Sequence, residues 1–204
     1  MMAVSAAEIN DNKSIRRQSV QLNRELIVKT AARLFTTAGY EDVSLDDIAR
    51  EIGATKGLIY YYFASKGALL GEVLLWNHSS FLDAVNPAYE SRGPDAAAKL
   101  RKVIKAHVDF NYEQYPMIEL VWKTMNLVPA DMRKKLKKQR EAYLKKFCML
   151  VEEAQQTGKV IKGDSGIVGT SITTLLNFLP YQFRKSQNRG SKELFEHIAT
   201  VYFR

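Results

Sequence analysis

Apolar residues return every three or four positions along most of this 204-residue chain, the period of helices with one buried face. In Arg24 to Thr37 the set is Ile27, Ala31, Leu34 and Phe35, and Gly39 ends the run. A second stripe, Leu45, Ile48, Ala49 and Ile52, follows Ser44, a cap to which Asp47 can bond back, and stops at Gly53. Thr55 caps a third helix in which Ile59 and Phe63 lie four apart. Ser65 caps a fourth, with Leu69, Leu70, Val73, Leu74 and Phe81 inward, until Asn86-Pro87 and then SRGPD (Ser91 to Asp95) break the pattern. Leu100, Val103, Ile104, His107 and Asn111 mark a fifth helix ending before Pro116, and Met117 to Leu127 a short sixth. Asp131 to Gln156 reads as a long seventh helix with Leu136, Tyr143, Phe147, Leu150, Val151 and Ala154 inward, a basic opposite face, and Gly158 at its end. Two more follow, about Ser165 to Lys185 and Ser191 to Phe203, separated by QNRG. No stretch alternates as a β-strand would and no repeat is present, so the pattern predicts an all-α fold of about nine helices.

Residues 44 to 63 have the grammar of a helix-turn-helix, two short helices around a tight turn. With Ile59 and Phe63 turned to the core, Lys56, Gly57, Tyr60 and Tyr61 lie on the other faces of the second helix. Three successive tyrosines, Tyr60 to Tyr62, cannot all face inward. Lys56 can donate to the guanine O6 and N7 acceptors, Thr55 can bond a base or a phosphate, and glycine at 57 lets a DNA backbone approach closely.

The run AARLFTTAGYEDVSLDDIAREIGATKGLIYYYFASKGALL, Ala31 to Leu70, resembles the amino-terminal pattern of the tetracycline-repressor (TetR) family, and the likeness spans roughly residues 21 to 81. The resemblance implies a flexible tail at 1–20, a helix-turn-helix DNA-binding domain at 21–81, and an all-helical ligand-binding and dimerisation domain at 82–204. It adds Ser44, Tyr62 and Lys66 as phosphate contacts. Leu58 departs from the family pattern, standing where the family often has a small hydroxylated residue. The last two helices would form a homodimer's four-helix bundle, with Gly166, Gly169 and Ser171 allowing close backbone approach. A twofold dimer calls for a pseudo-palindromic operator on double-stranded DNA. The function implied is a transcriptional repressor released by a small hydrophobic effector.

Composition bounds the alternatives. Of 30 basic and 22 acidic residues, nine of each fall within residues 1 to 80, so the whole surplus of +8 lies beyond the DNA-reading segment. It weakly favours an anionic effector. What supports DNA binding is local: Ala54 to Gly71 holds two lysines and no acid. The run RKKLKKQR (Arg133 to Arg140) reads as a solvated helix face, and Arg16 and Arg17 as part of a solvated tail. A single cysteine, Cys148, excludes an internal disulfide and reads as a buried filler. No apolar run reaches the roughly 18 residues that span a bilayer, and the start lacks a signal peptide's apolar centre, so a cytoplasmic protein without membrane contact is expected.

No catalytic, cofactor or metal-site pattern is found: His78, His107 and His197 sit on separate helices and only His107 is on an inward face, as a satisfied core residue or a ligand contact. Trp76, Phe110, Trp122, Phe147 and Phe178, with polar tips from His107, Asn111 and Asn177, are the candidates to line an effector cavity. The rival reading is a helical protein-interaction module whose helix-turn-helix is structural alone.

Overall fold

The computed structural model describes residues 23–186 and 190–204; the tail with Arg16 and Arg17, and most of the QNRG linker, lie outside the described residues. Nine α-helices are present among them: α1 (23–37), α2 (Leu45–Glu51), α3 (Lys56–Tyr62), α4 (Lys66–Glu90), α5 (Ala96–Glu113), α6 (Tyr115–Thr124), α7 (Ala130–Gln156), α8 (Ser165–Ser186) and α9 (Ser191–Tyr202). The only extended pairing among the described residues is an isolated antiparallel bridge between Val160 and Phe203. The chain divides into two compact units between Val73 and Leu74, inside α4.

The amino-terminal unit is built around Ile27, Ala31, Phe35, Ile48, Ile59, Leu69 and Leu70, all buried. Its caps are those the sequence spells. Ser44 and Asp47 form a reciprocal capping box on α2, Thr55 Oγ1 accepts from Leu58 N, and Ser65 Oγ accepts from Ala68 N at the start of α4. Gly53 has φ +66°, the left-handed conformation that turns the chain from α2 toward α3, while nothing crowds its Cα; it is there for its dihedral. Arg24 pairs with Glu72 at 2.6 Å and lies over the Phe63 ring, tying the ends of the unit together.

In the carboxy-terminal unit α5 packs against α7, α8 and α9, and α7 against α8, around Leu100, Ile104, Phe147, Val151 and Ile172. A Cβ on Gly169 would sit 2.6 Å from Cys148 Sγ, so this glycine serves the close crossing of α7 and α8 within the chain. Cys148 is half-buried at that crossing, more accessible than a core filler.

Prolines mark two departures. The helix expected to break at Asn86-Pro87 continues to Glu90. Pro87 strands only the carbonyl of Asp83, and both residues are exposed, so water can take the missing bond. Pro180 lies inside α8 and strands the Leu176 carbonyl in the interior; there Asn111, from α5, donates its amide to that oxygen at 3.0 Å. The sixth helix begins at Tyr115, two residues before the expected start, and its last turn, Met125–Leu127, is a 3-10 helix. Pro116 is tolerated because a first-turn residue needs no N–H partner.

Candidate nucleic-acid interface and effector cavity

Helix α3 divides its side chains as its spacing requires. Ile59 and the following Phe63 are buried, whereas Thr55, Lys56, Gly57, Tyr60 and Tyr61 are exposed, Tyr61 to 74%. Tyr62 is half-buried and packs edge-to-face on Tyr61 and tilted on Phe63. Thr55 uses an oxygen lone pair to cap α3, which leaves its hydroxyl hydrogen free to donate outward. A Cβ on Gly57 would meet nothing closer than Thr55 Oγ1 at 3.8 Å, so the fold itself does not demand glycine there.

Three of the expected DNA contacts are engaged within the unit. Lys56 Nζ donates to Asp46 Oδ2 of α2 at 2.8 Å, and this hydrogen bond, with the attraction of the carboxylate, raises the lysine's pKa. To reach a base Lys56 must leave Asp46. Ser44 Oγ donates to Asp47 Oδ2 at 2.6 Å while accepting from Asp47 N, so a phosphate would have to take over the first bond. Lys66 Nζ donates to the Glu41 carbonyl at 3.2 Å and lies 4.2 Å from the centre of the Tyr40 ring, fixing the turn before α2. Lys66 is thus a structural residue of the unit as well as a candidate phosphate contact.

The carboxy-terminal unit holds a cavity of about 270 Å³, lined from α4 by Leu74, Asn77, His78 and Phe81, from α5 by His107, Phe110 and Asn111, and from α6, α7 and α8 by further residues including Trp122, Arg140, Tyr143, Thr173 and Asn177. Its floor is a closed polar network. Asn177 Oδ1 accepts from Asn111 Nδ2 at 3.0 Å and therefore acts as acceptor toward His107 Nε2 at 3.1 Å, which puts the ring proton on Nε2 and leaves Nδ1 to accept from Tyr143 OH at 3.0 Å. Burial lowers the His107 pKa to about 4, so the ring is neutral at neutral pH. Thr173 spends its hydroxyl on the Gly169 carbonyl.

Of the residues expected to line the cavity, His107, Phe110, Asn111, Trp122 and Asn177 do so, and Trp76, Phe147 and Phe178 do not. Trp76 precedes His78 by two residues, about 200° around α4, and so faces away from it. Phe147 is fully buried within the core, and Phe178 is exposed, stacking on Trp122 with centroids 5.8 Å apart. His78 corrects the sequence reading, which turned it outward: it is only 8% exposed and its Nε2 has no hydrogen-bond partner. Arg140, placed by composition on a solvated face, is exposed overall yet lines the cavity, and crowding around its guanidinium lowers its pKa. Burial, then the Arg140 charge, lowers the His78 pKa; the Gln139 main chain acts the other way.

Comparison with known proteins decides what this pair of sites belongs to. The model of "Bacterial regulatory proteins, tetR family" matches residues 27–73, and that of the "Tetracyclin repressor-like, C-terminal domain" matches residues 93–204, more than half of the chain. The chain belongs to the tetracycline-repressor family. TetR proteins are DNA-binding transcriptional regulators, and the rival reading as a mere interaction module lapses. The regulator AcrR of Shigella flexneri is 32% identical over 93 residues, 45% of this chain and 42% of AcrR; the chain thus spans under half the length of that relative. Among solved structures, AibR in complex with isovaleryl coenzyme A and operator DNA aligns with a TM-score of 0.76 at 17% identity over 89% of this chain and 98% of its own. A putative transcriptional regulator from Saccharomonospora viridis in complex with choline aligns with a TM-score of 0.77 at 21% identity, over 89% and 97%. At such identities the likeness is one of fold.

Helices α2 and α3 lie within the residues matched by the amino-terminal model, and the carboxy-terminal unit contains those matched by the C-terminal one. Among the described residues no group of three or more His, Cys, Asp and Glu is placed to hold a metal, and no helix is long and apolar enough to cross a membrane.

Proposed function

We propose that this TetR regulator acts as a cytoplasmic homodimeric repressor, that Thr55, Lys56, Gly57, Tyr60 and Tyr61 meet bases while Ser44, Tyr62 and Lys66 meet phosphates, and that a small molecule in the cavity releases the operator. The observation that carries the reading is the continuity of α4: it begins at Lys66, four residues after α3 ends, and carries Asn77, His78 and Phe81 to the cavity wall. A ligand touching those residues acts on the helix that leads out of the reader. One feature supports dimerisation through α8 and α9. Ile167, Phe178 and Val201 remain exposed on them, whereas Leu194, Phe195, Ile198 and Tyr202 are absorbed by the chain's own core. The dimer's recognition helices would lie about one DNA turn, roughly 34–36 Å, or a small multiple of it apart.

Selection of the full chain against random duplexes should enrich a pseudo-palindrome, with binding that weakens steeply as salt rises and sedimentation showing a dimer. An effector that releases this operator must, by reciprocity, bind more weakly by the same factor when the operator is present, typically about 1–3 kcal/mol of coupling. A monomer at micromolar concentration with and without DNA, or selection that enriches nothing, would sink the proposal.

A further inference from the structure

Arg140 is the one arginine or lysine among the residues that line the cavity. On the neighbouring helix surfaces Lys105 pairs with Asp109, Lys123 with Glu119 and Lys137 with Glu141. Arg140 differs: among the described residues no carboxylate lies within ion-pair distance of its guanidinium, which nonetheless lines the cavity. A guanidinium that lines a cavity without a carboxylate partner offers its planar fork of donors to an incoming anion. Beside it His78, more than nine-tenths buried, lines the same wall, and its Nε2 has no hydrogen-bond partner. Of the remaining polar wall, His107, Asn111, Tyr143 and Thr173 bond to protein, and Asn77 is a further neutral polar group there. No aspartate or glutamate lines the cavity, so a cation would meet no opposite charge.

We propose that the cavity takes a small organic carboxylate with an apolar body, its carboxylate held between the Arg140 guanidinium and His78 Nε2 and its body among Phe81, Phe110 and Trp122. The inference rests on reading the cavity as the effector site. The planar fork of arginine matches the two oxygens of a carboxylate, and a carboxylate beside His78 favours the protonated ring, which donates to it. Three aromatic faces supply the apolar contact, and a volume of about 270 Å³ is at the small end of ligand pockets, which points to a compact acid in place of a long acyl chain.

Three probes of one shape test it: naphthalene-2-carboxylate, naphthalene-2-carboxamide and 2-naphthylmethylammonium, titrated calorimetrically into the full-length protein at fixed salt. The carboxylate should bind at least about tenfold more tightly than either isostere, as a charge-assisted bidentate contact implies. Arg140→Gln and His78→Leu should each erase most of that preference while leaving the amide's affinity nearly unchanged. Lys138→Gln, which removes the same charge from an exposed position nearby, should leave it intact. If the amide or the ammonium binds as tightly as the carboxylate, or Arg140→Gln keeps the preference, the head-group assignment is wrong and the cavity reading stands. If none of the three binds at millimolar concentration, both fall together.

Discussion

Replacing Asn111 by Leu should destabilise the carboxy-terminal unit, and replacing Pro180 by Ala in the same chain should shrink the loss. Pro180 has no N–H, so the Leu176 carbonyl four residues earlier has no helical donor, and Asn111 Nδ2 supplies one at 3.0 Å. Leucine keeps the volume and removes both amide bonds. The second bond, to Asn177 Oδ1, leaves no orphan behind, because His107 Nε2 still reaches that oxygen at 3.1 Å. The loss is therefore chiefly one stranded buried carbonyl, about 1–3 kcal/mol. With Asn111 only 6% exposed, water has little access to replace it. In the Pro180→Ala chain residue 180 regains an N–H that can close the ordinary bond to Leu176. There Asn111→Leu should cost less by at least about 1 kcal/mol, well outside the roughly 0.3–0.5 kcal/mol within which independent sites add. Pro180→Ala carries its own packing loss, which the cycle subtracts. Urea unfolding of the four full-length proteins, followed by far-UV circular dichroism at one concentration, measures the coupling. Equal costs of Asn111→Leu in the two backgrounds would refute the carbonyl-satisfying role.

Gly57→Ala should move two assays in opposite directions: unfolding should show a gain of up to about 0.5–1 kcal/mol, since the site is open and helical, while operator affinity falls because the methyl stands where DNA must approach. Unchanged affinity would remove Gly57 from the interface. Lys56→Ala should weaken operator binding roughly tenfold to a hundredfold and relax sequence preference, whereas Lys66→Ala should weaken all duplexes alike, lower the salt slope by about one, and also reduce stability through the lost Glu41 and Tyr40 contacts. Operator titrations of both variants at matched ionic strength check this, and identical behaviour of the two would contradict it. Because burial depresses the His107 pKa to about 4, the unfolded chain binds a proton there that the folded chain resists, so stability should fall by about 1–3 kcal/mol as pH drops from about 6.5 toward 4. Burial of His78 adds in the same direction. His107→Gln should flatten that part of the urea midpoint's pH profile, and an unaltered profile would show that His107 does not titrate in this window.

How much of this was legible in the sequence follows from the range of the interactions involved. The helix-turn-helix is written in local terms. Ser44 with Asp47, Thr55 with Leu58 and the glycine at 53 act within a few residues of themselves, so caps, turn and outward tyrosines could all be read in one dimension. Asn111 bonding a carbonyl freed by Pro180 joins residues 65 positions apart along the chain, and no local pattern announces it. Between these extremes lie the two residues that matter most to the cavity. Leu74 and Phe81 were placed inward on α4, and His78 falls between them at helical spacing; Leu136 and Tyr143 were placed inward on α7, and Arg140 falls between them in the same way. Composition hides both: His78 reads as one of three scattered histidines, and Arg140 as the end of a basic run. A charged residue on the phase of a buried stripe either disrupts the core or meets something that is not core, and here the stripe of α7 holds its helix against α5 and α8 despite Arg140. The interruption marks where the buried stripe of α7 opens onto the cavity, and an Arg140→Leu chain that unfolds at higher urea than its parent while losing its preference for carboxylates would show stability given up for recognition at that one position.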